Sequence, residues 1–312
     1  MSIFKKKKKH NFHTGMKIKK TKGEQIGQVL IIIFLGLFGF ACLYPFWHVL
    51  MYSISNSKAA STGGFFLFPR DVTFFSYKMI FKTTQIFVAY KNTILKTLCG
   101  TVLSLILTSL TAYPLSVRRF RGRNFFSLLI FFTMLFSGGM IPTFLIVKDL
   151  GLIDTFWALI LPGAMSAYNM FILRNYMQSL PASLEESAHI DGANAFTTLF
   201  RIILPLCTPS LAALAMFYGV HNWNSYMDCL LYTNTNSMQV LQLYLRSVLA
   251  QSSAMNALSA ADTATIGTAA AELSDETMKM TIVGVSVVPV LLVYPFLQRF
   301  YTKGITVGAV KG

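Results

Sequence analysis

The sequence is poor in charge. Charged residues occupy 12% of the 312 positions, about half the share in an ordinary soluble domain, whereas hydrophobic residues occupy 54%. So few charges cannot cover the surface of a globule of this size, which excludes a plain soluble enzyme. The 27 Phe residues are the opposite of the composition of a disordered chain. The sequence therefore predicts a multispanning membrane protein.

Residues for metal or nucleotide chemistry are also scarce. The four cysteines are too scattered for a disulfide framework or a Cys-x-x-Cys metal site, and the five histidines are dispersed. No Gly-x-x-x-x-Gly-Lys-Ser/Thr loop is present, so ATP binding by the usual route is excluded. We expect no metal, no cofactor, no catalytic residue and no enzymatic activity.

Six runs without Asp, Glu, Lys or Arg are long enough to cross a bilayer as helices. They cover residues 25–57, 97–117, 124–147, 155–173, 202–227 and 280–298. They are continuous apolar runs rather than alternating segments, which favours helices over a barrel. The predicted fold is all-α with six transmembrane helices, the first at residues 26–52.

The distribution of Lys and Arg predicts the orientation in the membrane. With both termini inside, eighteen of the 27 basic residues lie on the inner face, including those of the tails at residues 1–25 and 301–312. Anionic lipid headgroups of the bilayer attract such residues, so the net charge of +15 indicates orientation and not nucleic-acid binding. The first apolar run is too long for a signal peptide, and no small-residue cleavage site follows it.

Two predicted outer segments separate the spans, at residues 56–91 and 233–279. The second is polar and rich in Ala, Ser and Thr. A segment of this length is either functional or disordered. We favour a folded cap containing short helices at 238–250 and 262–273.

The inner segment at residues 179–205 has the pattern of a helical hairpin. Ser183 and Glu186 form a capping-box pattern, Gly192 suits a left-handed turn, and Asn194 suits the cap of a second helix. Phe196, Leu199, Phe200 and Ile203 then recur at helical spacing, before Leu204-Pro205 interrupts the pattern. The hairpin is either a simple connection or an amphipathic element that enters a groove on a partner.

This hairpin resembles the signature loop of ABC-importer permeases, in which Glu-Ala-Ala, three residues, Gly and nine residues precede Ile-x-Leu-Pro. The chain has Glu186-Ser187-Ala188, then Gly192 after three residues, and Ile202-Ile203-Leu204-Pro205 after nine more. Ser187 is the one departure. The run Ile190-Asp191-Gly192-Ala193 and the tail at 298–312 resemble the carbohydrate branch, in particular the second permease of maltose-type and polysaccharide- or oligosaccharide-associated importers.

The resemblance implies a type I ABC-importer permease fold, with five helices within residues 77–300. It implies a second homologous permease, two ATPase subunits that hydrolyse ATP, an external solute-binding protein and a carbohydrate cargo. The location implied is the bacterial cytoplasmic membrane, multi-pass, with both termini cytoplasmic. The coupling residues implied are Glu186, Ser187, Ala188, Asp191, Gly192, Leu204 and Pro205. Glu186 would pair with a basic residue of the ATPase, or would act only as a capping carboxylate.

The end of the fifth span offers candidates for the substrate path, Asn222, Trp223, Asn224 and Asp228. A Trp face suits the C–H side of a sugar ring, and Asn or Asp can hydrogen-bond its hydroxyls. The alternative is an interfacial belt, in which Trp and Tyr are common. Asp228 has no visible acidic neighbour within the spans, which disfavours a proton-coupled transporter.

Two further alternatives stay open. One is a permease for another solute, such as a peptide or an amino acid, because importers share the loop motif. The other is a non-transporting membrane scaffold or sensor that docks a partner. A scaffold needs no bent helices, whereas Pro and Gly residues interrupt several spans here, as at Ser137-Gly138-Gly139 and Pro162-Gly163.

Overall fold

The computed structural model describes residues 22–60, 62–261 and 275–309, and it divides the chain into two units, Met1–His48 and Val49–Gly312. The described residues form helices and turns, with a single isolated β-bridge between Ser55 and Val72. The helices before the hairpin are α1 Lys22–Ser53, α2 Ser57–Ala60, α3 Phe75–Phe81, α4 Thr84–Ser116, α5 Arg123–Leu135, α6 Met140–Asp149 and α7 Ala167–Gln178. The later helices are α8 Ser183–Ile190, α9 Ala195–Thr197, α10 Leu204–Leu206, α11 Thr208–Asn224, α12 Met227–Tyr232, α13 Leu241–Ala261 and α14 Asp275–Ala309.

Within the described residues, the first unit contains α1 as far as His48. Its apolar side chains are exposed along the helix, from Ile26 to Trp47. A helix that is apolar on all sides and exposed is typical of a membrane span. This helix coincides with the first span predicted at residues 26–52.

Three helices are long and apolar enough to cross a membrane unbroken, namely Lys22–Ser53, Thr84–Ser116 and Glu276–Val293. Three further candidate spans are bent pairs: Arg123–Leu135 with Met140–Asp149 at 114°, Phe156–Gly163 with Ala167–Gln178 at 57°, and Ala195–Leu206 with Thr208–Asn224 at 85°. The number of spans is six when each pair counts as one. The chain is a multi-pass membrane protein.

Glycine and capping residues explain two of these bends. Gly139 has a φ of 87°, which L-residues with a side chain rarely adopt, and it separates α5 from α6. The Ser166 hydroxyl accepts a hydrogen bond from the Asn169 backbone N–H at 3.4 Å and caps α7. The Gly138-Gly139 and Pro162-Gly163 pairs in the sequence thus mark real interruptions.

Several element limits differ from those expected. The helix α4 begins at Thr84 rather than near 97, so that Lys96 lies inside it, and α14 extends from Asp275 to Ala309. The helix expected at 238–250 is present as a 3-10 turn, Asn236–Met238, followed by α13. The helix expected at 262–273 and most of the basic tail lie outside the described residues.

The second unit is built around α4, whose buried face is a row of small and polar residues one helical turn apart. Its members include Ala89, Thr93, Lys96, Gly100, Ser104, Thr108 and Ala112. Small side chains let neighbouring helix backbones approach closely, which is how membrane helices associate without a hydrophobic driving force. An added Cβ at Gly100 would lie 2.9 Å from the Asn222 amide, so α4 and α11 are in close contact there.

Hydrogen bonds between helices accompany this packing. The hydroxyls of Thr108 and Tyr218 lie 2.7 Å apart and link α4 to α11. The Thr93 hydroxyl accepts a bond of 2.8 Å from the Leu241 backbone N–H, which attaches the start of α13 to α4. In a bilayer such partners satisfy polar groups that lipid cannot.

Candidate functional site

The predicted hairpin is present and consists of α8, a turn at Gly192 and α9. Gly192 has a φ of 75° and follows α8. The Gly192 N–H donates to the His189 carbonyl at 3.1 Å, and the Ala193 N–H donates to the Ala188 carbonyl at 2.9 Å. This pair of bonds is a Schellman motif, which ends a helix at a left-handed residue.

The second helix of the hairpin starts as expected. The Asn194 side chain accepts a bond of 2.8 Å from the Thr197 backbone N–H, and so caps α9. A π-helical turn, Thr198–Ile203, joins α9 to α10, and the chain bends at Cys207 into α11. The interruption predicted from Leu204-Pro205 therefore lies at Cys207, just after α10.

Two details of the hairpin differ from the expectation. Ser183 does not cap α8, because Ala182 already has a helical conformation and the first turn begins before Ser183. Phe196 and Phe200 do not share a face with Leu199 and Ile203. The two Phe side chains are exposed, whereas Leu199 and Ile203 are buried, because the π-helical turn Thr198–Ile203 changes the period that would place all four on one face of an α-helix.

The predicted coupling residues divide into an exposed set and a packed set. Glu186, Ser187, Asp191, Gly192 and Pro205 are exposed. Ala188 is 3% exposed and Leu204 is half-buried. Among the described residues Glu186 has no ion-pair partner, so its carboxylate is available to another molecule. The exposed position of Ser187 explains why Ser can replace the Ala of the family motif.

A cleft of about 1460 Å³ opens beside this hairpin. Its walls combine the Glu-bearing start of α8 with the basic turn between α4 and α5, which supplies Arg118, Arg119, Arg121 and Arg123. Ile190, which is 85% exposed, lines the cleft, and Phe196 on the same hairpin is 67% exposed. Exposed apolar side chains next to charged ones are typical of a docking site for a partner.

The candidate path residues lie where α11 ends and α12 begins. Asn222 is 8% exposed, Trp223 is half-buried, and Asn224 is exposed. The Trp223 indole N–H donates to the Ser286 carbonyl of α14 at 3.2 Å, so one edge of the ring is fixed by packing. The Trp223 side chain is therefore packed at the contact between α11 and α14, whereas the Asn224 side chain is exposed.

Asp228 has a basic partner, which the sequence analysis did not identify. Its Oδ2 lies 3.2 Å from the Nζ of Lys96, and it also accepts a hydrogen bond from the Ser225 hydroxyl. Lys96 is 0% exposed, and its ammonium also donates to the Ser225 carbonyl at 3.2 Å. A buried ammonium needs such partners, since an unpaired buried charge is costly.

Lys96 is the residue that the sequence interpretation missed. A search for runs without charged residues makes Lys96 the boundary of the second span and so excludes it from the helix. A signal was present, since Lys96 precedes the second run and Asp228 follows the fifth, which places two opposite charges at the same predicted end of antiparallel helices.

A second carboxylate stabilises the turn after α6. The Asn234 backbone and side-chain N–H groups donate to Asp154 at 2.6 and 3.0 Å. These hydrogen bonds from Asn234 favour the ionised carboxyl and lower the pKa of Asp154 below its usual value. The turn is thereby attached to the segment after α12.

Comparisons with known proteins agree with this geometry. The model of a family described as binding-protein-dependent transport system inner membrane component matches residues 18–307. The chain is 43% identical over 284 residues to the polygalacturonan/rhamnogalacturonan transport system permease protein YtcP of Bacillus subtilis (strain 168), covering 91% of this chain and 98% of that one.

Two other similarities extend over most of the chain. The arabinooligosaccharides transport system permease protein AraQ of Halalkalibacterium halodurans is 30% identical, covering 94% of this chain and all of that one. Among solved structures, a chain of a bacterial ABC transporter involved in the import of the acidic polysaccharide alginate matches with a TM-score of 0.77 and 33% identity. That match covers 90% of this chain and 99% of the other.

Proposed function

The chain belongs to the family of binding-protein-dependent transport system inner membrane components, and we propose that it forms half of the translocation path for an oligosaccharide. Its relatives are permease subunits of ABC transporters, which are non-catalytic membrane components. ATP hydrolysis is then the work of separate subunits. The carbohydrate cargo is supported by the relatives named for rhamnogalacturonan, arabinooligosaccharides and alginate.

The observation that most supports coupling to an ATPase is the geometry of the hairpin. Gly192 fixes the turn, and beside it Glu186 is exposed and unpaired while Ile190 and Phe196 present apolar surface. An apolar anchor with a free carboxylate suits a groove that has a basic residue, where a charge-assisted hydrogen bond can form. Glu186, Ser187, Ala188, Asp191, Gly192, Leu204 and Pro205 are the proposed coupling residues.

The full assembly proposed has five components: this chain, a homologous second permease, two ATPase subunits and an external solute-binding protein. The basic turn between α4 and α5 and the hairpin line one cleft, so both belong to one end of the bundle. The concentration of Arg there supports a cytoplasmic position for this end, and the basic residues of the two tails support the same position for both termini. Asn222, Trp223, Asn224 and Asp228 are the proposed path residues.

The decisive experiment uses the reconstituted complex in proteoliposomes with its solute-binding protein. ATPase activity is measured against a panel of oligosaccharides, with peptides and amino acids as the matched alternatives. Stimulation by one or more saccharides and not by peptides is the expected result. Stimulation by peptides alone would contradict the carbohydrate cargo, and a complex that assembles with no ATPase subunit would contradict the importer itself.

A further inference from the structure

Arg246 has an unusual environment on α13. Its side chain is exposed, and its guanidinium carbon lies 4.7 Å from the centroid of the Tyr226 ring. The Nη1 of Arg246 also donates a hydrogen bond to the Tyr226 hydroxyl. A guanidinium held against a ring by stacking and by one hydrogen bond has a fixed plane, and less rotamer freedom is lost when it binds a ligand.

No carboxylate of the described residues neutralises this guanidinium. The ion pair between Lys96 and Asp228 does not include Arg246, and no carboxylate of the described residues pairs with its guanidinium. Only one of the five N–H donors of Arg246 is used by Tyr226, so most of its hydrogen-bonding fork is free. A planar fork of this kind matches a carboxylate, which it can bind through two parallel hydrogen bonds.

The neighbouring charges leave this positive charge in place. Asp228 lies two residues after Tyr226, and its side chain is 31% exposed. Unpaired, this carboxylate would repel an anion and partly cancel the charge of Arg246. The buried ammonium of Lys96 neutralises it at 3.2 Å, so the three groups together have one net positive charge, and that charge is on the exposed guanidinium.

The position of Arg246 relates it to the proposed path. Tyr226 occupies the break between α11 and α12, two residues after the exposed Asn224. Arg246 is therefore held against the segment in which the sequence predicted sugar contacts. The Asn224 amide, which can bind hydroxyl groups, and the Arg246 guanidinium, which can bind an anion, therefore lie beside the same break.

We propose that Arg246, oriented by Tyr226, binds the carboxylate of a uronic acid residue, and that the cargo is an acidic oligosaccharide. This inference rests on the proposed function as a saccharide permease. The carboxylate is the group recognised, and the fork of Arg246 supplies the donors. Lys96 acts through Asp228 and does not itself contact the cargo.

The test compares two cargos with the same sugar backbone, a trisaccharide of galacturonic acid and its fully methyl-esterified form, in which the carboxyl groups have no charge. Uptake of each is measured in proteoliposomes and divided by the amount of assembled complex. The quantity compared is the ratio of acidic to esterified uptake relative to the unmodified complex, which removes the selectivity of the solute-binding protein. Arg246→Gln is expected to lower this ratio about tenfold, equivalent to about 1.4 kcal/mol.

Three further variants locate the effect. Arg246→Lys keeps the charge but loses the fork and the stacking, so the ratio falls by less, about threefold. Tyr226→Phe keeps the ring and loses the hydroxyl, and a smaller fall is expected. The matched control is Arg70→Gln, since Arg70 also lies over a ring, 4.6 Å from the centroid of Phe66. This control leaves the ratio unchanged.

The outcomes separate this inference from the proposed function. An equal loss of both cargos, or an unchanged ratio in Arg246→Gln, overturns the inference and assigns Arg246 to a structural contact. If Arg246→Gln does not assemble, an unchanged ratio in Arg246→Lys has the same meaning. A wild-type complex that transports only uncharged saccharides overturns the inference alone. A complex that responds to no saccharide overturns the proposed function as well.

Discussion

The buried pair between Lys96 and Asp228 gives an asymmetric prediction for two single substitutions. Asp228→Asn removes the carboxylate and leaves the fully buried ammonium of Lys96 with the Ser225 carbonyl as a partner at 3.2 Å. Breaking a buried ion pair in this way costs about 3–5 kcal/mol. Asp228 is 31% exposed, so water already solvates part of the pair, and we expect about 3 kcal/mol.

The opposite substitution is expected to be milder. Lys96→Met removes the buried charge, and the carboxylate that remains is partly exposed and still accepts the Ser225 hydroxyl. A cost of about 1 kcal/mol is expected, near that of one hydrogen bond. The double variant, Lys96→Met with Asp228→Asn, leaves no buried charge and should be much more stable than Asp228→Asn alone.

Thermal unfolding of the assembled complex in nanodiscs measures these differences. At about 2 °C or more per kcal/mol, Asp228→Asn should lower the midpoint by about 6 °C, and the double variant should recover most of that loss. Equal effects of the two single substitutions, or a double variant whose loss is the sum of both, would refute the assigned interaction.

Four other outcomes follow from the structure. Glu186→Lys places a positive charge opposite the basic residue expected in the ATPase, so less ATPase should co-purify while membrane insertion is unchanged; Glu186→Gln is the milder control. Gly192→Val should weaken docking by strain alone, because φ is 75° and nothing lies within 4 Å of an added Cβ, whereas Gly192→Asn should be tolerated. Trp223→Ala should reduce uptake per assembled complex several-fold and Trp223→Phe much less; equal losses of membrane abundance with normal uptake would indicate an interfacial anchor. Hydrogen bonds from Asn234 lower the pKa of Asp154, so the stabilisation that they give is present above about pH 4 and is lost as the pH falls through the lowered pKa. The measured quantity is the difference in thermal midpoint between wild type and Asn234→Ala. This difference should be constant from about pH 5 to 8 and should shrink in acid.

Local features of the fold were predictable because their causes are local. The hairpin depends on Gly192 and Asn194, whose turn and cap are set by neighbours within a few residues, and both were predicted correctly. The bends at Gly138-Gly139 and Pro162-Gly163 were visible for the same reason. Ser183 was assigned wrongly, because a capping-box pattern does not say whether the preceding residue is already helical.

The contacts between distant residues could not be predicted in this way. Lys96 and Asp228 are 132 positions apart, and Arg246 is 20 positions from Tyr226. A search for apolar runs ends a predicted span at any charged residue, even one that lies within a long helix. Such a residue is recognised as part of the span only when a residue of opposite charge is found at the same membrane depth. The sequence contains both charges, but only the packing of α4 against α11 and α12 brings them together.

The helix α11 connects the hairpin with the proposed path residues Asn222, Trp223 and Asn224. It has 17 residues, which correspond to a length of about 25 Å, and no loop separates its first residue from the hairpin helices. A rotation of about 10° at the Cys207 bend displaces the opposite end, at Asn224, by about 4 Å, or close to the width of a side-chain contact. If the proposed docking of an ATPase moves the hairpin in this way, the displacement at the proposed path residues is larger than the movement at the bend.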